Sequence, residues 1–199
     1  SEQTNMSKII PNDPIASSLY TGEGGLLYWQ RNKEHVLEMA NDRRAFIRSL
    51  YPTRREQVWC EVGCGVRANI YPYDLGIDVD ARLDPDITAS VLDLPLPDDS
   101  ISVVLCVGLL MHFPAGHWQA ALREMARCAQ DAIIIGEYVS MQESELYWDW
   151  RNGEMGWGDK GLLWERPYPA PTGWREFDRA ISHKLFPYVT FLVFTRTLE

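Results

Sequence analysis

The sequence predicts an α/β protein built on an open, mostly parallel sheet with helices on both faces. Three observations predict it. Strand-like and helix-like segments alternate through the middle of the chain. The strand segments are unbroken apolar runs, and a helical segment, His117–Cys128, separates the two strongest of them, Ile101–Val107 and Ala132–Val139. Strands apolar on both sides must be covered on both faces, as in parallel sheets whose crossovers are helices.

Taken in order, residues 1–25 mix Pro11, Pro14 and the Gly22-Glu-Gly-Gly25 cluster and read as an irregular arm. Leu27, Val36, Leu37, Ala40, Phe46, Ile47 and Leu50 recur at roughly helical spacing and predict a helix from Leu26 to Leu50, ending before Pro52. Strands are expected over Gln57–Val62, Leu75–Val79 and Ile87–Val91, followed by the strand, helix and strand named above. The tail carries two β-rich segments, Arg179–Leu185 and Tyr188–Thr195, joined through Phe186-Pro187. They predict a hairpin that gives the sheet an antiparallel edge pair. Between body and tail, Gly153–Trp174 holds five glycines and three prolines and reads as a long loop of the kind that forms lids. Trp148, Trp150, Trp157, Trp164 and Trp174 fall in or beside it. They serve either to pin the loop to the body or to wall a substrate, and exposed aromatics there could also support a homodimer. The expected organisation is one domain over 1–199: an arm and helix (1–50), a ligand-binding core (57–139), an aromatic-rich insertion (140–176) and a closing hairpin (177–199).

Composition narrows the function classes. With 46% hydrophobic and 24% charged residues the chain is globular in type, and its longest apolar runs fall short of the ~20 residues of a membrane span. A formal net charge of -9 repels phosphate backbones, so no nucleic-acid partner is expected. Cys60, Cys64, Cys106 and Cys128 form no CxxC and have no histidines at zinc spacing, so no metal is expected and the thiols read as reduced. The first residues lack a basic start followed by an apolar core, which leads to the expectation of a cytoplasmic protein.

The chemistry concentrates at Val58-Trp-Cys-Glu61-Val-Gly63-Cys64-Gly65. Two glycines two apart let the chain turn sharply after a strand and bring bare backbone against a ligand. Gly63-Cys-Gly65-Val-Arg-Ala68 also satisfies the dinucleotide pattern G-x-G-x-x-G/A, so an NAD-binding oxidoreductase must be weighed. Against it, Pro72 cuts short the helix that pattern opens, and an acid, Glu61, stands where an apolar residue is usual. Further acids follow at strand ends: Asp78 and Asp80 in Gly76-Ile-Asp-Val-Asp80, and Asp93 in Ser90-Val-Leu-Asp-Leu-Pro-Leu-Pro97. Acids at the carboxyl ends of adjacent parallel strands converge on one crevice. One can accept from both ribose hydroxyls and another from an adenine amino group. Three acids around a glycine turn suit an adenosyl group bearing a sulfonium better than one bearing phosphates.

Val58–Val139 resembles the class I S-adenosylmethionine-dependent methyltransferases, in a type 11-like form with a shortened first helix. Glu61-Val-Gly-Cys-Gly65 matches their E/D-x-G-x-G motif, and Gly76-Ile-Asp78 their second-strand acid. Asp93-Leu-Pro-Leu-Pro-Asp-Asp-Ser-Ile101 matches the stretch leading into the fourth strand, and Cys106-Val-Gly-Leu-Leu-Met-His112-Phe the segment that follows. Arg67 replaces the motif's third glycine, and Met111 the usual Glu before His112.

The resemblance implies a Rossmann-like three-layer sandwich with seven strands, the last antiparallel, and S-adenosyl-L-methionine as cofactor, leaving as S-adenosyl-L-homocysteine. It places Glu61, Gly63, Cys64, Gly65, Asp93 and Val107 at the cofactor, with Leu94 offering its backbone amide to the adenine. The ribose falls to Asp78 in the family pattern, with Asp80 the other candidate. His112 is read either as a general base for a hydroxyl or as a histidine hydrogen-bonded to a neighbouring loop. His117 reads as the polar start of a helix. Glu137 and Tyr138 either face the substrate or simply close their strand, and Tyr28, Trp29 and Arg31 either cover the cofactor or belong to a helix on the sheet. The expected activity is methyl transfer, at oxygen, to a small-molecule or glycan-like acceptor. A nicotinamide oxidoreductase and a non-catalytic adenosyl-binding module are the alternatives.

Overall fold

The structure, a computed structural model, describes residues 40–52, 54, 56–65, 73–148, 161–180 and 189–197. The expected arm, the first half of the expected helix with Tyr28, Trp29 and Arg31, and Trp150 and Trp157 lie outside the described residues. Within them, helix α1 (Ala40–Ser49) precedes β1 (Trp59–Val62), β2 (Leu75–Asp78), β3 (Ile87–Thr88), β4 (Ile101–Val107), helix α2 (His117–Cys128) and β5 (Ala129–Glu137). Then come β6 (Ser144–Trp148), β7 (Gly161–Glu165), β8 (Trp174–Ala180) and β9 (Thr190–Arg196).

Seven strands form one sheet in the order β3-β2-β1-β4-β5-β9-β8. The first five are parallel, and β9 runs antiparallel to both β5 and β8. This is the mostly parallel α/β sheet with an antiparallel last strand that the sequence predicts.

Side-chain alternation explains why the apolar runs are unbroken. Val104, Cys106, Ile133, Ile135, Leu192 and Phe194 face one side, where α2 lays down Trp118, Ala121, Leu122, Met125 and Cys128 at helical spacing. Val103, Leu105, Ala132, Ile134, Phe191 and Val193 face the other, where Ile47 of α1 and Leu50 just beyond it close the layer. Phe46 adds an edge-to-face contact with Phe191 at 5.5 Å. All four cysteines are buried and unpaired.

Element boundaries depart from expectation where a side chain competes with the ladder. β3 ends at Thr88 rather than Val91 because Ser90 starts a turn, its hydroxyl accepting from the Leu92 amide (3.1 Å) and its carbonyl from Asp93 (3.2 Å). β5 starts three residues early, at Ala129, directly after α2; the exposed, polar Gln130 masks that start in the sequence.

The long loop expected over Gly153–Trp174 is corrected in its described part. Residues 161–165 form β7, which pairs antiparallel with β6 as a separate ribbon, and Trp174 already begins β8. The hairpin's first strand therefore runs over Trp174–Ala180, not Arg179–Leu185; residues 181–188 lie outside the described set. Arg175 to Arg179 are exposed on this edge strand, whose charges discourage pairing with another chain. Trp174 packs into the core, so it does not wall a substrate. Among the described residues no helix is long and apolar enough to cross a membrane.

Candidate active site

Strand register brings two of the expected acids together. Glu61 is the partner of Gly76, and Asp78 lies two residues further along β2, so both carboxylates leave the same sheet face at the carboxyl ends of adjacent strands. Glu61 is 1% exposed and neither of its oxygens has a hydrogen-bond partner among the described residues. Burial, and secondarily the nearby Asp78, push its pKa well above the usual carboxylate range.

Two residues beyond Glu61 the chain turns at Gly63, with φ +67°, and again at Gly65, with φ +62°. A Cβ at Gly63 would stand 2.7 Å from Leu109 Cδ2, so a side chain there strains the left-handed backbone and also forces Leu109 to shift. A Gly63→Ala variant is expected to lose more stability than Gly108→Ala. Gly108 has a similar φ of +66° but open space around a Cβ, so its alanine carries only the left-handed strain of about 1–2 kcal/mol. Urea midpoints of the two variants check this; equal losses would mean that the Leu109 contact yields freely.

Asp78 clamps the glycine turn. Its two oxygens accept from the Gly65 and Asp80 amides, each at 2.9 Å. Burial raises its pKa, with those amides pulling the other way. Asp80 is engaged differently. Its carboxylate receives the Arg82 guanidinium at 2.6–3.0 Å and the Arg82 amide at 3.0 Å, forming a largely buried pair that starts a short helical turn. Of the two candidates for the ribose, Asp80 is thus held by its own arginine. Cys64 is buried inside the turn, its amide on the Ile77 carbonyl and its thiol pushed up in pKa, above all by burial.

Asp93 is exposed on the loop leaving β3. Two residues of α2 that the sequence reading did not single out hold this loop. Arg127 donates to the carbonyls of Leu94 (3.0 Å) and Leu96 (2.8 Å), and Glu124 accepts from the Leu94 amide at 3.0 Å. The Leu94 amide, expected at the adenine, is therefore taken up by Glu124, while the Leu94 side chain is buried in the core.

Val107, half-buried, ends β4. After it a tight turn spans Leu110–His112. Glu137, at the end of β5, braces that turn: its carboxylate accepts from the amides of Leu109 (3.0 Å), Leu110 (2.9 Å) and Met111 (3.0 Å). It is fully buried, with its carboxylate committed to this turn. Burial raises its pKa to about 7, against the pull of the three amides and of Arg166. His112 bonds the Gly108 carbonyl, and burial of its ring lowers its pKa to about 4. The ring is therefore neutral at ordinary pH. It can accept a proton, though only as a weak base. His117 is the exposed first residue of α2.

Comparisons with known proteins bear on the fold and on one segment of the chain. Residues 60–132 match the family model described as "Methyltransferase domain". No curated protein matches the sequence. Among solved structures, the chain is similar to an S-adenosylmethionine-dependent methyltransferase of Thermotoga maritima, described as a possible histamine N-methyltransferase. That match has 13% identity and a TM-score of 0.58, covering 90% of this chain and 99% of that one. It is also similar to magnesium protoporphyrin IX methyltransferase of Synechocystis with bound S-adenosylhomocysteine, at 13% identity and a TM-score of 0.57, covering 93% and 100%. A methyltransferase of Haloferax volcanii, solved in complex with an activator protein, aligns at 11% identity and a TM-score of 0.56, covering 87% and 97%. These likenesses concern the fold. The match over residues 60–132 marks that segment as similar to a methyltransferase domain, set in a fold shared with S-adenosylmethionine-dependent methyltransferases.

Proposed function

We propose that the protein transfers a methyl group from S-adenosylmethionine to a hydroxyl of a small-molecule or glycan-like acceptor. The observation that carries this reading is the Glu61 carboxylate, buried and without a hydrogen-bond partner among the described residues, two residues ahead of a bare glycine turn. A buried anion without a partner costs several kcal/mol, which a positively charged ligand offsets. Phosphates brought to the same place would deepen the cost, and this weighs against a dinucleotide.

The residues present fit the donor. Gly63 and Gly65 admit it closely, and Glu61 supplies negative potential toward its cationic end. Asp78, after accepting two amides, keeps lone pairs for the ribose hydroxyls. Asp93 accepts from the adenine amino group, on a loop that Arg127 and Glu124 keep in place. When bound, S-adenosylmethionine supplies a methyl on a sulfonium that departs as a neutral thioether. The chain's own part in the transfer is alignment, which is worth several kcal/mol in its own right. As the hydroxyl oxygen forms its bond to the methyl, its proton passes to water or to His112, which this reading makes the base.

Titration calorimetry with S-adenosylhomocysteine and with NAD tests the reading. The first is expected to bind and NAD not to. In Glu61→Gln, affinity for S-adenosylhomocysteine is expected to fall by about ten- to a hundredfold. Binding of NAD alone, or unchanged affinity in Glu61→Gln, would overturn the proposal. A labelled donor methyl recovered on nitrogen rather than oxygen would overturn its choice of atom.

A further inference from the structure

A second group of buried polar atoms lies at the same edge of the sheet, beside the turn that Glu137 braces. Arg166 is 0% exposed and none of its three guanidinium nitrogens makes a hydrogen bond among the described residues. Its Nε stands 3.4 Å from a carboxylate oxygen of the part-exposed Glu143. The guanidinium lies over two indoles, 5.6 Å from the centre of Trp118 and 5.4 Å from that of Trp164. Trp118 in turn meets Tyr168 edge-to-face at 5.3 Å. The indole Nε1 of Trp118 and the hydroxyl of Tyr168 are also buried without hydrogen-bond partners among these residues. One cluster therefore gathers a guanidinium fork, an indole N–H and a phenol O–H, all able to donate, with no hydrogen-bonded acceptor among the described residues. Burial pushes the Tyr168 hydroxyl up in pKa, so it keeps its proton and remains a donor.

The backbone fixes this cluster to the reaction edge. The Arg166 amide donates to the Tyr138 carbonyl (3.2 Å) and its carbonyl accepts from Ser140 (3.2 Å), immediately beyond the carboxyl end of β5. Glu61, Asp78 and the Leu110–His112 turn lie at carboxyl ends of the same parallel set.

We infer that Arg166, Tyr168 and Trp118 form an acceptor subsite for a carboxylate, so that the molecule methylated is an acid such as a sugar acid. This rests on the methyl-transfer reading and names its acceptor class. Nη1 and Nη2 form a planar fork that matches the two oxygens of a carboxylate. A single negative charge suits the place better than a phosphate dianion, because Glu137 and Glu143 lie close and the whole chain is acidic. Glu143 meets only the Nε side of this buried guanidinium, and a bound carboxylate would satisfy the remaining Nη1 and Nη2 donors.

The test uses the full chain saturated with S-adenosylhomocysteine and titrated with glucuronate, benzoate, glucose and glucose 6-phosphate, read by calorimetry and tryptophan fluorescence. Wild type is expected to bind at least one of the two carboxylates at concentrations on the order of 10 mM or below, and to bind glucose more weakly. Arg166→Gln is expected to weaken the carboxylate by about ten- to a hundredfold while leaving the affinity for S-adenosylhomocysteine unchanged. Tyr168→Phe, which removes one hydroxyl, is expected to weaken it less and stands in if Arg166→Gln does not fold. Binding of neither carboxylate, preference for the phosphate, or equal carboxylate affinity in the variants would overturn the inference. Loss of S-adenosylhomocysteine binding by wild type would instead count against the methyl-transfer reading itself.

Discussion

Glu137→Ala is expected to lose about 3–6 kcal/mol of folding stability, enough to bring a domain of ordinary stability of about 5–15 kcal/mol close to unfolding. The side chain reaches across from β5 to accept from three amides of the Leu109–Met111 backbone. Removing it leaves three buried donors unpaired at about 1–3 kcal/mol each, with some relief if water enters the space. Glu137→Gln is not a conservative rescue, because its amino group would point a donor at a backbone donor. Methyl transfer should fall with stability, since this turn presents His112.

The same residue has a pH signature. Glu137 holds its proton up to about pH 7 when folded, against an ordinary value of 4.5. Its contribution is thus fully present below pH 4.5 and is lost as pH rises through 7, a change of about 3 kcal/mol. His112 works in the opposite direction: folded at about 4 against 6.5, its contribution is complete above pH 6.5 and is lost as pH falls through 4. Between these values the two slopes largely cancel in wild type. In Glu137→Ala the His112 slope is no longer opposed by that of Glu137, so the variant should gain stability on wild type as pH rises from about 4.5 to 7. Glu61 and Asp78, whose values are also raised, contribute equally to both proteins and drop out of the difference. Urea midpoints across this range provide the check. Parallel curves for the two proteins would show that Glu137 does not titrate as its burial implies.

Asp78→Asn is expected to weaken S-adenosylhomocysteine by roughly a hundredfold or more, the sum of a lost ribose acceptor and a loosened glycine turn. Both Asp78 oxygens already receive amides, from Gly65 and Asp80, and an asparagine can satisfy only one of these. The comparison that decides its role is Asp80→Asn. That change breaks a pair with Arg82 in which the Asp80 side chain is 2% exposed and the Arg82 side chain 15%, so it should cost about 3–5 kcal/mol of stability while leaving affinity nearly intact. Calorimetric affinities beside urea midpoints separate the two. A greater loss of affinity in Asp80→Asn would reverse the assignment of the ribose.

Much of the fold was legible because periodicity is local. Ile101–Val107 and His117–Cys128 have in the structure the bounds their apolar spacing implies, since a buried strand or an amphipathic helix needs only its own residues to be recognised. Boundaries failed where a neighbour decided them. Ser90 ends β3 with a turn, and β7 exists because β6 lies beside it, although its sequence, amid glycines and prolines, looks like loop.

The chain alone therefore determined the α/β class, the glycine turn with Glu61 before it, and acids at successive strand ends, all written within a few residues of one another. Only the tertiary structure decided what the charged side chains do. Glu137 meets a turn 26 to 28 positions earlier, Glu124 takes the Leu94 amide 30 positions away, and Arg166 finds the indole of Trp118. Hydrophobic faces repeat with the backbone's own period, whereas the partner of a buried charge is whatever the folded chain brings within about 3 Å, and no spacing rule encodes that.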